Sequence, residues 1–215
     1  MTISKRTRWR GPSIWTAAAC LAVSITGCQA ISTIAILTMP NDVPAEYDEL
    51  EGERVVVICN DVGGLGYQDA GVPTDLSRLV GARLQKKVSG IDVVNHDYVN
   101  DWIDSNDIHE DELGKAMDAT KVVSIQLEHF GLTKGPNLYQ GHAQITVQIH
   151  DVATGEVEEL QPIESLYPPH AGVPLDQSEP VFRRRFLGVL ANQVSRRFFA
   201  HESLEASKER LYPSE

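Results

Sequence analysis

Residues 141–152, "GHAQITVQIHDV", alternate polar and apolar side chains without a break from His142 to His150. Ala143, Ile145, Val147 and Ile149 share one side, and His142, Gln144, Thr146, Gln148 and His150 the other. Side chains of an extended chain have period two, so this run reads as a strand with one face buried and one face wet. One wet face favours antiparallel pairing. "KVVSIQLEHFGL" at 121–132 reads as a second such strand, with Val123, Ile125 and Leu127 inward and Ser124, Gln126 and Glu128 outward. Strict alternation places His129 on the face opposite Glu128. "ATGE" after Val152 is a turn signal, so 141–151 and 156–165 are expected to pair as a hairpin.

The other segments supply helices and a buried strand. "RVVVIC" at 54–59 is a β-branched run of the kind found in interior strands. The 14 residues 60–73 form a glycine-rich loop, read as flexible. "TDLSRLVGARLQKKV" predicts a helix capped by Thr74 or Asp75, with Leu76, Leu79, Val80, Leu84 and Val88 as its apolar stripe. "IDVVN" is a short strand, and "HDYVNDWIDSN" and "EDELGKAMDAT" are two short helices. A long helix is expected over about 177–203, because Phe182, Phe186, Leu190, Val194 and Phe198 recur every four residues. The order βαβααβββα predicts an α/β (α+β) two-layer sandwich over 54–203, with a mixed sheet of about five strands and helices on one face. Residues 204–215 read as a polar tail.

The N-terminus is a targeting segment. "KRTRWR" precedes the apolar "SIWTAAACLAVSI", the layout of a signal peptide over 1–27. Ile25-Thr26-Gly27-Cys28 resembles the bacterial lipobox, in which the cysteine thiol receives a diacylglycerol and becomes the new N-terminus. That resemblance implies lipidation at Cys28, a membrane anchor and a domain exported to the periplasm. Gln29 stands where an aspartate would retain such a lipoprotein in the inner membrane, which points to the outer membrane. The alternative is a single uncleaved transmembrane helix, since no charged residue occurs from Gly11 through Asn41 and a span needs about 20 residues. Residues 28–53 read as an apolar stub followed by an acidic, exposed tether.

Charge and chemistry narrow the function. Four of the 19 basic side chains precede Cys28 and none of the 30 acidic ones does, so cleavage there leaves a domain of formal charge −15. Such a domain is repelled by nucleic acid. With Cys20 removed and Cys28 lipidated, Cys59 has no partner for a disulfide and reads as a buried, inert thiol. "HEDEL" at 109–113 lacks the second histidine of a zinc motif, because position 113 is Leu113. "GGLGY" at 63–67 lacks the pattern of a phosphate loop. His142 and His150 are about 26 Å apart along an extended chain and cannot share a metal. No catalytic, cofactor or metal set is nominated, and the chain reads as a non-enzyme. Arg183, Arg184, Arg185, Arg196 and Arg197 on the last helix are the candidate partner surface, facing an acidic protein, a lipid headgroup layer or the acidic face of a second copy of the chain. An envelope hydrolase, with a site between the 60–73 loop and the polar sheet face, is the competing reading.

Four stretches together resemble one known family. They are "RVVVICNDV", the run from Asp75 to Ile103, "LGKAMDATKVVSIQLEHFG" and "YQGHAQITVQIHDVATGEV" with Asp151, Thr154, Gly155 and Glu156. The pattern is similar to the periplasmic α/β domain of curli-secretion lipoproteins, penicillin-binding-protein-activator lipoproteins and the N-terminal domain of the Tol-system translocation protein. Ala119-Thr120 departs from its usual Ala-Asp, and no pair of amphipathic hairpins is present to build a transmembrane barrel. The resemblance implies a non-catalytic, lipid-anchored envelope domain that binds other proteins; a self-assembling ring subunit of a secretion apparatus is a further alternative.

Overall fold

The apolar run from Val55 to Ile58 becomes the innermost parallel strand of a mixed sheet. In the computed structural model, which describes residues 42–106, 108–134, 138–169, 173–174 and 178–203, β1 spans Arg54–Asp61. It is followed by α1 (Val72–Lys87), β2 (Asp92–Val93), α2 (His96–Ile103) and α3 (Glu110–Ala116). Then come β3 (Lys121–Lys134), β4 (Leu138–Asp151), β5 (Val157–Glu159), β6 (Ile163–Tyr167), β7 (Val173–Pro174) and α4 (Glu179–Ser195). β1 lies between β2 and β3 and is parallel to both. β4 pairs antiparallel with β3 on one side and with β5, β6 and β7 in succession on the other. The sheet is thus five strand positions wide, and the predicted hairpin is present with its return strand broken at 160–162.

The predicted stripes make the main core. Leu76, Val80 and Leu84 of α1 and Phe186, Leu190 and Val194 of α4 pack on Val57, Val123, Ile125, Ala143, Ile145 and Val147. Gly141 leaves room for this packing, because a Cβ there would lie 2.5 Å from the Phe186 ring.

The mixed sheet and α+β class agree with the sequence, and the layering differs on one half. Helices lie on both faces there, not one. Val56, Ile58 and Val122 face away from α1 and are covered by Val99 of α2 and Leu113 of α3. β1 is apolar on both faces, and a strand of that kind needs cover on both. Over β4 the second face stays open, as alternation predicts.

Three boundaries shift. α1 begins at Val72 with Gly71 at its cap and Pro73 in its first turn, so neither Thr74 nor Asp75 caps it. Proline is favoured there because its missing N–H has no helical partner to lose. α4 ends at Ser195, and Arg196–Phe198 form a 3-10 turn that still buries Phe198. Part of the expected tether also belongs to the domain. Leu50 is fully buried and Tyr47 nearly so, with Tyr47 edge-on to Phe198. The amides of Glu46 and Tyr47 both donate to the Arg197 carbonyl, at 2.8 and 3.0 Å.

Candidate protein-binding surfaces

The open face of β3, β4 and β6 carries the polar side chains that alternation assigns to water. A bulge redraws it. Leu127 pairs with Ile145 but His129 with Gln144, so Glu128 is the extra residue. A bulge sets two successive side chains on one side of the ladder. Glu128 therefore accepts from the Thr146 hydroxyl at 2.6 Å, while the His129 ring lies tilted against His142 with ring centroids 4.9 Å apart. The expectation that Glu128 and His129 oppose one another is corrected by that one residue. Phe130 returns to the core. Glu164 of β6 lies 3.5 Å from His142 Nε2.

Toward α3 the same face is not wet. Ser124 is fully buried, accepting from Asn60 and Gln126 and donating to Glu110 Oε1 at 3.1 Å. Glu110 of "HEDEL" is turned onto the sheet, where it partners the buried Ser124 hydroxyl.

The glycine-rich loop is ordered by its own hydrogen bonds. Asp61 accepts from Gly64 and Leu65 amides at 2.9 and 2.7 Å, and the Leu127 carbonyl accepts from Val62 and Gly63. A Cβ on Gly63 would sit 1.9 Å from the Glu128 carbonyl oxygen, so only glycine fits against the bulge. Tyr67–Asp69 form a 3-10 turn. The expectation of a flexible loop is replaced by one whose amides are spent internally, leaving no phosphate cradle from those four.

The five arginines do not form one surface. Arg183 bonds the Gln68 carbonyl at 2.6 Å, Glu179 at 2.9 Å and Asp69 at 3.1 Å, stapling α4 to the loop. Arg197 is paired with Glu46. Arg196 is half-buried on the 3-10 turn. Arg184 and Arg185 are exposed, and Arg184 borders a cavity of about 400 Å³ between α1 and α4, with Arg78, Leu79 and Leu187. Successive residues of a helix turn by about 100°, so three arginines in a row fan over more than half its circumference.

At the hairpin turn, the resemblance residues have structural duties. Asp151 Oδ1 accepts from the Ala153 and Thr154 amides, and Gly155 has φ of 74°. Asp151 Oδ2 accepts from Lys121 Nζ at 2.8 Å. The Lys121 ammonium, with the Thr154 amide, holds the Asp151 carboxyl well below the usual carboxylate range, and Asp151 raises Lys121 in turn. A lowered carboxyl contributes stability above its unfolded pKa of about 3.9 and loses it as pH falls through its folded value. Asp151→Asn is therefore expected to melt lower than wild type at pH 7, with the difference closing as pH drops below about 4. Paired melts across that range check it, and a gap that is constant with pH would contradict the pairing. The departure at Thr120 has a local role, since its hydroxyl and amide both donate to the Arg54 carbonyl.

Cys59 is half-buried, and burial followed by the nearby Asp61 charge pushes its thiol far up, in keeping with an inert group. Beside it lies a cleft that sequence reading does not pick out. Two cavities of about 320 and 290 Å³ meet at Ser77 and His96, between α1 and α2. His96 follows Asn95, whose side chain caps α2 by accepting from the Asp97 amide. Burial, reinforced by the Arg78 charge, lowers the His96 pKa, so the ring is neutral at pH 7. Its Nε2 is buried without a partner. Among the described residues no group of three His, Cys, Asp or Glu side chains converges to hold a metal ion. Also among them, no helix is long and apolar enough to cross a membrane. Cys28, with the rest of 1–41, lies outside the described residues.

No family model and no curated protein matches the chain. Solved structures do. The PelC dodecamer from Paraburkholderia phytofirmans is 12% identical, covering 74% of this chain and 96% of its own, with a TM-score of 0.47. Lipoprotein GNA1162 from Neisseria meningitidis is 12% identical, covering 66% and 97%, with a TM-score of 0.42. The uncharacterized lipoprotein B from Nitrosomonas europaea is 13% identical, covering 79% and 93%, with a TM-score of 0.35. Two of the three are lipoproteins by name. At these TM-scores the likeness assigns no activity, partner or assembly to this chain.

Proposed function

We propose that this chain is an exported, membrane-anchored cell-envelope lipoprotein whose α+β domain serves as a non-catalytic binding or assembly module. The observation that carries the reading is Ile25-Thr26-Gly27-Cys28, placed after a basic segment and an apolar run and joined to the compact unit Asp42–His201. The anchor is a diacylglycerol on Cys28, with the outer membrane as its site. The exposed Arg184 and Arg185, on an acidic domain, suit an acidic partner protein or a second copy of the chain. The open polar face around His129, His142 and Glu164 offers hydrogen-bonding groups to the same kind of partner.

Metabolic labelling with radioactive palmitate tests the anchor. Wild type is expected to take up label and to lose residues 1–27, and Cys28→Ala to take up none and keep them. Label that persists in Cys28→Ala would overturn the assignment. An unlabelled wild type that retains residues 1–27 in the membrane fraction would favour the uncleaved helix instead.

A further inference from the structure

β1 is eight residues long and its neighbour β2 only two. The ladder between them ends at the bond from the Val94 amide to the Val55 carbonyl, 2.9 Å, after which the chain leaves through Asn95 into α2. Even-numbered residues of β1 turn their main-chain groups toward β3, as the bonds of Arg54 and Val62 show, and odd-numbered ones turn theirs toward β2. Val57 and Cys59 therefore direct their N–H and C=O groups to the side where β2 has already ended. Among the described residues no hydrogen bond is formed to them on that side. Val57 is only 4% exposed and Cys59 is half-buried, so the edge is screened from solvent at Val57 and opens toward Cys59. Buried main-chain groups are almost always paired, and a strand edge left without a neighbour is a template for another strand.

The surroundings have the shape a further strand requires. One cavity lies on the Val57 side of the sheet, floored by Gly81 and Ala82 of α1. The other spans the strand edge, from Cys59 with Thr74 and Ser77 of α1 across to Ile58 with Val99 and Ile103 of α2. Successive side chains of a strand point to opposite faces, so a segment paired with Val57 and Cys59 would fill the two cavities in turn. Gly81, Ala82 and Val93 in the first cavity and Val99, Ile103 and Ile108 in the second leave apolar space for side chains of the size of valine or threonine, beside the polar Arg78, Gln85, Asn100 and Asp104. His96 stands at their junction with Nε2 free for a main-chain group. Asp97, Asp101 and Asp104 are exposed along α2, which favours basic flanks.

We propose that the free edge of β1 is a strand-addition slot for an extended peptide of a partner protein, with β-branched residues at alternate positions and basic flanks. This rests on the binding-module reading and gives its partner a chemistry.

The test uses the full chain in detergent and the blocked peptide acetyl-Lys-Val-Thr-Val-Thr-Val-Lys-amide at millimolar concentration. Site-resolved amide exchange is expected to slow at least tenfold at Val57 and Cys59. Of two peptides N-methylated at alternate sets of amides, one should lose this effect and the other keep it, because only one set faces the edge. Ala82→Trp, at an exposed position that lines the first cavity, should weaken binding at least tenfold without changing the melting temperature. No added protection, equal binding of both methylated peptides, or an unaffected Ala82→Trp would each overturn the slot. Any of those results with Cys28 still lipidated removes the slot and leaves the anchored-module reading standing.

Discussion

Phe186→Ala is expected to cost the domain about 3–5 kcal/mol, the range for removing a buried aromatic ring. Phe186 is fully buried, stacked on Phe130 at 5.5 Å and on Tyr167 at 6.2 Å. It also lies over Gly141, so β4 has no side chain with which to fill the space it would leave. Neighbours on three strands, Phe130, Gly141 and Tyr167, would have to move to close that cavity. For a domain of this size the melting temperature should fall by on the order of 10 °C. Circular dichroism melts of the full chain in detergent measure it. A loss below about 1 kcal/mol, ordinary for a surface site, would mean that α4 does not pack on the sheet as described.

Leu50→Ala is expected to cost about 2–5 kcal/mol, although it lies in a segment of acidic, exposed composition. Leu50 is fully buried, in one core with Tyr47 and Phe198. The neighbouring Glu51→Ala, at an exposed position, should change stability by no more than about 0.5 kcal/mol. Equal melts for the two variants would return residues 44–53 to the role of tether.

Residues 44–53 also show what the sequence concealed. Tyr47 and Leu50 among five acidic side chains give no periodic signal, and their burial depends on where Phe198 and Arg197 end up, some 150 positions away. Layering was partly legible. Val55, Val56, Val57 and Ile58 are apolar without alternation, which already implies cover on both faces, and the two short helices were available to supply it. The bulge left a trace as well. Leu127 and Phe130 are three apart, which strict alternation cannot bring to one face and one extra residue can.

The candidate surfaces divide in the same way. The proposal for Cys28 rests on sequence alone, on the resemblance of Ile25-Thr26-Gly27-Cys28 to a lipobox. The arginines are different. Spacing placed Arg183, Arg184 and Arg185 on a helix, but Glu179, Asp69 and the Gln68 carbonyl claim Arg183, and Glu46 claims Arg197. Only Arg184 and Arg185 keep the exposure that the surface reading needs.

By itself the sequence determined the period of each strand and helix, the hairpin, the order of elements and the acidic charge. Each is written in neighbours a few residues apart. Only the tertiary structure decided which helices cover which face, that Tyr47 and Leu50 enter the core, and that β2 stops short and leaves Val57 and Cys59 without a strand beside them. Those outcomes depend on contacts between residues far apart in the chain, where local periodicity carries no information.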